Sequence, residues 1–358
     1  MKKIMFIVIV ATYPFYSYAG EKAASDTTAK PAETSISELQ SLPLGELLAK
    51  AEKGEAAAQV AAGFKYRSGD GVKADPAAAA KWYRKAAEQG HTTGAFFLAL
   101  AYIDGAGVAS DEVEAMNWLT KAAEGGLTFA QYRLAALYNR GLYVPKSSVE
   151  AVKWYKKSAE QGFTNGQFSL AYHYATGDGI DKNMNEARKW YLKAAIEGNH
   201  TGAQTNLAAM YRNGDGVAKD PAEAAKWTRR AAEQGDSLSE FRMGEIHIYG
   251  EGVTRDPAEA AEWFRRAALH GDVRSQHQLG MQYAAGEGVK QNYGTAYKWF
   301  YIAALNGHKA AEEGKEQAAG HLSKEQLNDS TLAAEQLNAR IKRSIIPRSY
   351  PIPQVITE

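Results

Sequence analysis

Cysteine is absent from all 358 residues. That absence excludes disulfide frameworks, thiolate zinc sites, cysteine nucleophiles and lipid attachment to cysteine. An excess of one charge is also lacking, because 42 Lys and Arg face 41 Asp and Glu. A net charge of +1 disfavours a nucleic-acid binder or a polybasic membrane-surface protein. The composition, 45% hydrophobic and 23% charged with a mean hydropathy of −0.43, is that of a globular chain and not of a polytopic membrane protein.

The first nineteen residues have the pattern of a secretory signal peptide. Lys2 and Lys3 precede an apolar run over 4–11, and Ser17 and Ala19 put small residues before a cleavage point. The run is too short to span a bilayer as a permanent helix; the alternative is an uncleaved amphipathic N-terminus. We therefore predict export, to the periplasm or outside the cell, with no integral membrane segment after cleavage. Residues 20–37 are polar and are predicted to be a disordered leader.

The tryptophans recur at a fixed interval. Five intervals of 36 residues and one of 37 separate the seven tryptophans, which are Trp82, Trp118, Trp154, Trp190, Trp227, Trp263 and Trp299. A period in the thirties predicts stacked helical units and not one closed core. The predicted divisions are a capping helix at 38–54, seven repeats at 55–90, 91–126, 127–162, 163–199, 200–235, 236–271 and 272–307, C-terminal capping helices at 308–343, and an extended proline-containing tail at 344–358.

Each period is predicted to form two helices. The second helix begins seven residues before the tryptophan, at a side chain that can accept hydrogen bonds from exposed N–H groups, as at Asp75 and Ser147. It ends at a glycine eight residues after the tryptophan, such as Gly90. Alanine stands three residues before every tryptophan, for example at Ala79, which indicates a close approach of two helices there. These patterns predict an all-α fold.

Residues 207–217 (LAAMYRNGDGV) and 220–227 (DPAEAAKW) resemble the Sel-one-like repeat (SLR), a relative of the tetratricopeptide repeat. The resemblance covers about 55–307. It implies a right-handed α/α solenoid (superhelix) whose role is to bind proteins or peptides. The branch of the family with a disulfide in every repeat is excluded by the lack of cysteine. Four residues depart from the repeat pattern, namely Tyr143 at the second turn glycine, His247 at the recurrent tyrosine, Thr228 after a tryptophan, and the additional Asn199.

No pattern of catalytic, cofactor-binding or metal-binding residues is present in the sequence. The Gly-x-Gly turns do not follow a predicted strand, and no His-Glu-x-x-His occurs. Three functions stay open. The chain is a non-catalytic scaffold that binds a protein or peptide partner on the concave face, a β-lactamase or penicillin-binding type of enzyme as some SLR proteins are labelled, or a structural envelope protein without a dedicated ligand.

The partner site is predicted on the first helices. Positions six and two residues before the recurrent tyrosine differ between copies and lie on one helix face. Large aromatic residues at variable, half-exposed positions favour binding. The predicted partner-binding residues are Phe96, Leu100, Tyr132, Phe168 and Tyr172. The alternative is that these aromatic side chains only complete the packing between helices.

Overall fold

A computed structural model describes residues 35–345. All regular structure in this range is α-helical, in eighteen helices without a strand. The chain divides into two compact units, up to residue 190 and from residue 191, and the division falls within α10. The first unit contains α1 (Ile36–Ser41), α2 (Leu44–Glu52), α3 (Ala56–Ser68), α4 (Pro76–Glu88), α5 (Thr92–Asp104), α6 (Glu112–Glu124), α7 (Thr128–Arg140), α8 (Ser148–Glu160), α9 (Thr164–Thr176) and the start of α10 (Met184–Ile196). The second contains the end of α10, α11 (Thr201–Asn213), α12 (Pro221–Glu233), α13 (Ser237–Tyr249), α14 (Pro257–Leu269), α15 (Val273–Ala285), α16 (Tyr293–Leu305), α17 (Ala310–Ala319) and α18 (Lys324–Ile345).

The helical hairpins follow from local sequence signals. Each helix from α3 to α16 has 13 residues. Asp111 caps α6, because its Oδ1 accepts from the backbone N–H of Val113 and of Glu114, at 3.0 Å each. The first helix of each hairpin ends at a left-handed glycine, such as Gly105 at φ 65°. The all-α solenoid of helix–turn–helix repeats predicted from the sequence is confirmed.

Alanine and tryptophan form the packing layer of the repeats. The alanine three residues before each tryptophan is buried in all seven copies, and every tryptophan but the half-buried Trp82 is buried. In the second unit Trp263 clusters with Ala225 and Ala232 of the preceding hairpin. In α6 a cation three residues along the helix covers the indole, with the Nζ of Lys121 4.0 Å from the ring centroid of Trp118. The tryptophans therefore join neighbouring hairpins, as their spacing predicts.

A row of buried glutamines links successive hairpins, which the sequence reasoning missed. In the first unit the Nε2 of Gln131 donates to the backbone oxygen of Ala123 at 3.1 Å. The Oε1 of Gln131 accepts from the Nε2 of Gln161, at the C-cap of α8, at 2.8 Å. In the second unit Gln276 repeats both bonds, with Ala268 and Asn306. One side chain thus joins three consecutive helices, and its amide adds a second hydrogen bond to a carbonyl near a helix end.

The ends of the array differ from the prediction in three places. Helix α1 begins at Ile36, inside the predicted leader 20–37, because Ser35 and Glu38 form a capping box. Two helices, α1 and α2, occupy the region predicted as one helix at 38–54. Helix α18 runs to residue 345, past the predicted start of the tail at 344, and Ile341 is buried near its end. The predicted signal peptide at 1–19 and residues 346–358 of the tail lie outside the described residues.

The additional residue in the fourth repeat changes its closing turn. The sequence predicts that Gly198 ends the second helix in the left-handed conformation. The left-handed residue in that connection is instead Asn199, at φ 47°. Asparagine tolerates this region better than other residues that carry a Cβ, so the inserted residue takes the role of the glycine. The amide of Gln204 then donates to Asn199 Oδ1 at 2.9 Å.

Candidate functional site

One of the five predicted binding residues is not on the surface. The Phe96 side chain is only 1% exposed and packs edge-on against Phe97, with ring centroids 5.3 Å apart. Phe97 in turn joins a cluster with Phe64 and Tyr83, at 4.6 Å and 5.4 Å. The prediction of a half-exposed Phe96 was therefore wrong. Two adjacent aromatic residues on α5 are drawn into one apolar cluster, which periodicity alone does not reveal.

The other four residues, Leu100, Tyr132, Phe168 and Tyr172, are half-buried. The ring of Tyr132 also takes part in packing, because it lies 5.7 Å from that of Tyr155 and 5.0 Å from that of Phe163. Each of the four thus has one side held by the core and another that reaches the surface of α5, α7 or α9. Such side chains present apolar area with little freedom left to lose on binding. We define these four residues as the first-helix face.

Charged groups accompany the first-helix face on α5 and α7. Arg133 follows Tyr132 directly and acts electrostatically on Asp104, the last residue of α5. Burial raises the pKa of Asp104, and the guanidinium of Arg133 opposes that rise. Burial also raises the pKa of Tyr155, with Tyr132 adding to the effect, so its hydroxyl stays neutral. The face therefore offers aromatic edges beside a cation and an anion, which suits recognition of a peptide.

The second unit has a cleft of its own that the sequence reasoning missed. It encloses about 110 Å³ between α11, α12 and α13. Arg242 pairs with Glu245 at 2.6 Å, and burial together with the charge of Arg242 lowers the pKa of Arg212. Tyr249 lines the cleft with its side chain 68% exposed. The sequence does distinguish Tyr249 from its counterparts. The equivalent position is polar or alanine in the other copies, at Ser68, Asp104, Arg140, Thr176, Asn213 and Ala285.

The described residues contain neither a candidate metal site nor a candidate membrane span. Between 35 and 345, no three His, Asp or Glu side chains are grouped so that they could hold a metal ion. No helix in the same range is both long and apolar enough to cross a bilayer. What the two units offer chemically is contact surface, with aromatic, guanidinium and carboxylate groups.

A profile of the Sel1 repeat matches seven segments in tandem, which together span most of the chain. The matched residues are 55–91, 93–127, 128–163, 164–199, 201–236, 237–272 and 273–308. The chain belongs to the Sel1 repeat family. Sel1 repeat proteins generally bind other proteins, and their solenoids commonly serve as scaffolds without catalysis.

Two solved Sel1 repeat structures are similar over most of the chain. One is c5321, a protective antigen of uropathogenic Escherichia coli with an SLR fold, which is 33% identical to this chain. The match covers 86% of this chain and 68% of c5321, with a TM-score of 0.67. Another is a Sel1 repeat protein of Oxalobacter formigenes, which is 35% identical to this chain. The match covers 76% of this chain and 79% of the O. formigenes protein, with a TM-score of 0.62. No curated protein matches this chain at a significant level.

Proposed function

We propose that this Sel1 repeat protein is a non-catalytic scaffold that binds a protein or peptide partner through the first-helix face of its second to fourth repeats. The observation that carries the proposal is the half-burial of Leu100, Tyr132, Phe168 and Tyr172. Rigid aromatic anchors of this kind dominate the energetics of protein interfaces. The same two positions of the fifth repeat carry the small residues Thr205 and Ala209. The aromatic character is thus specific to part of the array and is not a requirement of the repeat.

We further propose that the partner is met in the bacterial envelope or outside the cell. The n-region, apolar run and small residues of 1–19 support export. The similar E. coli protein is described as a protective antigen, which supports an exported location for this chain as well. An intact mass that begins at Gly20 in protein recovered from the envelope would test the cleavage. Full-length protein found in the cytosol would contradict it.

The test of the first-helix face compares two residues that occupy equivalent positions in different repeats. Tyr172 is two residues before the recurrent tyrosine of repeat four, and Met281 holds that position in repeat seven. The full chain is used to capture partners from an envelope extract of the source bacterium, and the partner is identified and then purified. We expect Tyr172→Ala to weaken its binding at least tenfold with little change in Tm, and Met281→Ala to change neither quantity.

Three outcomes would oppose this proposal. If Tyr172→Ala lowers Tm and leaves binding intact, the first-helix face only packs the hairpin. If no identified protein is retained reproducibly, the chain is a structural envelope protein. If the purified chain hydrolyses a chromogenic β-lactam and one point substitution abolishes the activity, it is an enzyme.

A further inference from the structure

The residue after the tryptophan is tyrosine, phenylalanine or leucine in six repeats and threonine in the fifth. The six are Tyr83, Leu119, Tyr155, Tyr191, Phe264 and Phe300, and all of them are buried. Thr228 is buried as well, and its hydroxyl donates to the backbone oxygen of Ala224 at 2.8 Å. Repeat five therefore lacks a large side chain that the other six repeats place in their core.

The cleft of the second unit lies where the large side chain is missing. In repeat one a Cβ added to Gly63 would overlap the ring of Tyr83, so this ring packs directly on the first helix. The residue equivalent to Gly63 in repeat five is Ala208, which lines the cleft together with Thr228. The cleft encloses about 110 Å³, which is comparable with the roughly 150 Å³ of an engineered apolar cavity that holds benzene. An open cleft of this size accommodates one ring.

Repeat one shows how aromatic groups fill the equivalent position. The ring of Tyr83 stacks on that of Phe97, with centroids 5.4 Å apart, and Phe97 meets Phe64 edge-on at 4.6 Å. The guanidinium of Arg67 lies over both phenylalanines, 4.8 Å from the centroid of Phe97 and 5.4 Å from that of Phe64. A guanidinium over an aromatic face is attracted by the negative charge density of the ring. The arginine therefore stabilises the ring cluster.

Repeat five keeps the arginine and lacks the three rings. Arg212 is the equivalent of Arg67. The three ring positions hold Ala209, Thr228 and Arg242. Arg212 lines the cleft and is exposed, and in the described part of the chain its guanidinium forms no hydrogen bond or ion pair. Arg242, by contrast, is paired with Glu245. An unpaired cation thus lines a cleft from which the aromatic group is missing.

We propose that this cleft binds one aromatic side chain of a protein or peptide partner, with the guanidinium of Arg212 over its ring. The partner's ring takes the position that Tyr83 fills in repeat one. Arg212 favours an aromatic face over an aliphatic side chain of the same size. The exposed Tyr249 adds contact area at the cleft. A single side chain binds weakly, so an amide of the isolated residue should have a Kd of about millimolar.

The experiment titrates the full chain with N-acetylphenylalaninamide and follows the isoleucine methyl signals by NMR. Ile246 lines the cleft, and its signal, identified by its loss in Ile246→Val, should shift with a Kd of about millimolar. The signal of Ile302, which is buried in repeat seven, should not shift. N-acetylalaninamide should shift neither signal. N-acetylcyclohexylalaninamide, whose saturated ring is of similar size, should bind about threefold more weakly, because its ring has no aromatic face for Arg212.

Filling the cleft from within should abolish the binding. Thr228→Tyr supplies the residue that repeats three and four place beside an alanine equivalent to Ala208. We expect it to raise Tm, because a packed ring replaces open space, and to remove the shift of the Ile246 signal. Thr228→Leu, which supplies the residue of repeat two, should act in the same direction and serves if the tyrosine variant does not fold. Thr228→Ala is the control that leaves the cleft open, and it should keep the binding.

Substitution of the arginine tests the role of its charge. Arg212→Gln should weaken binding of the aromatic amide about threefold with little change in Tm, since the guanidinium has no partner to lose. Arg67→Gln is the matched control, and it should lower Tm and leave the affinity unchanged, because Arg67 covers rings of the chain itself.

Three results would overturn the proposal. They are a wild-type chain that does not bind the aromatic amide, a Thr228→Tyr variant that still binds it, and equal affinities for the phenyl and cyclohexyl amides. None of these results depends on the first-helix face, because the probe is a small amide and the cleft belongs to the second unit.

Discussion

At the scale of single residues, position 240 departs from the glutamine row. The equivalent residues are glutamine in five of the other six repeats, at Gln59, Gln131, Gln167, Gln204 and Gln276. Glu240 is 1% exposed and accepts from the Nδ1 of His270 at 2.7 Å. A carboxylate cannot donate to the carbonyl of Ala232, as Gln276 does to Ala268. The contact between α13 and α14 therefore depends on His270 more than the equivalent contacts in other repeats depend on their C-cap side chains.

We expect His270→Ala to lower the free energy of unfolding by about 1–3 kcal/mol, because a buried carboxylate loses its partner. The double variant Glu240→Gln, His270→Gln rebuilds the pair seen between Gln131 and Gln161 and should be at least as stable as the wild type. Urea unfolding followed by circular dichroism measures both. A double variant as unstable as His270→Ala would show that the amide pair does not transfer to this position.

We expect four buried or half-buried histidines to make the folded state sensitive to acid. Burial lowers the pKa of His173, His200, His247 and His277. The folded state keeps them neutral, whereas the unfolded chain binds protons below a pH of about 6.5. Their contribution to stability is thus present above that pH and is lost as the pH falls below it.

His173→Leu supplies the residue that repeat three has at this position, Leu137. We expect the fall in Tm between pH 7.5 and 5.5 to be smaller in this variant than in the wild type, since one buried proton acceptor is gone. The matched change at the exposed His321, to Gln, should leave the fall in Tm unaltered. Equal falls in all three proteins would assign the acid sensitivity to other groups.

At the scale of the helix, the buried alanines set how closely neighbouring helices approach. Ala260 is fully buried in a cluster with Phe264 and Trp299. Ala260→Leu should overpack this contact and cost about 1–3 kcal/mol. Ala258→Leu, on the exposed side of the same helix, should cost little, since both are good helix formers. Thermal unfolding of the two variants checks the contrast, and similar Tm values would mean that the contact relaxes freely.

The helices were predictable because their signals are local. Asp111 and Gly105 mark a start and an end within a few residues of the bonds they make. Phe96 instead packs on Phe97, whose ring contacts one ring from α3 and one from α4. The hydrogen bond between Gln131 and Gln161 likewise joins residues 30 apart in the chain. Periodicity identifies the face of a helix, but not how far the next hairpin covers it. The four residues that do reach the surface were selected by the pattern, and their binding role remains a proposal.

At the scale of the whole molecule, stability is divided among repeats that contact their neighbours. In the first unit α6 makes its most extensive contacts with the adjacent helices α5 and α7. Trp118→Ala should cost about 3–5 kcal/mol. In a repeat array the damage should stay near the site, so hydrogen exchange should quicken in α5 to α8 and remain unchanged in α1 to α3. Uniformly faster exchange across the first unit would instead mean that this unit unfolds as one.

The hydrogen bond from Gln131 to the preceding hairpin also has a consequence for how the number of repeats in such a gene can change. The carbonyl of Ala123 that receives its amide is five residues after Trp118, and Ala87 stands at the same distance after Trp82. Deletion of residues 92–127 would therefore offer Gln131 an equivalent acceptor on the preceding hairpin. Recombination between misaligned copies can remove or add one period and leave a joint of the same chemistry. The number of repeats is then free to drift between descendants.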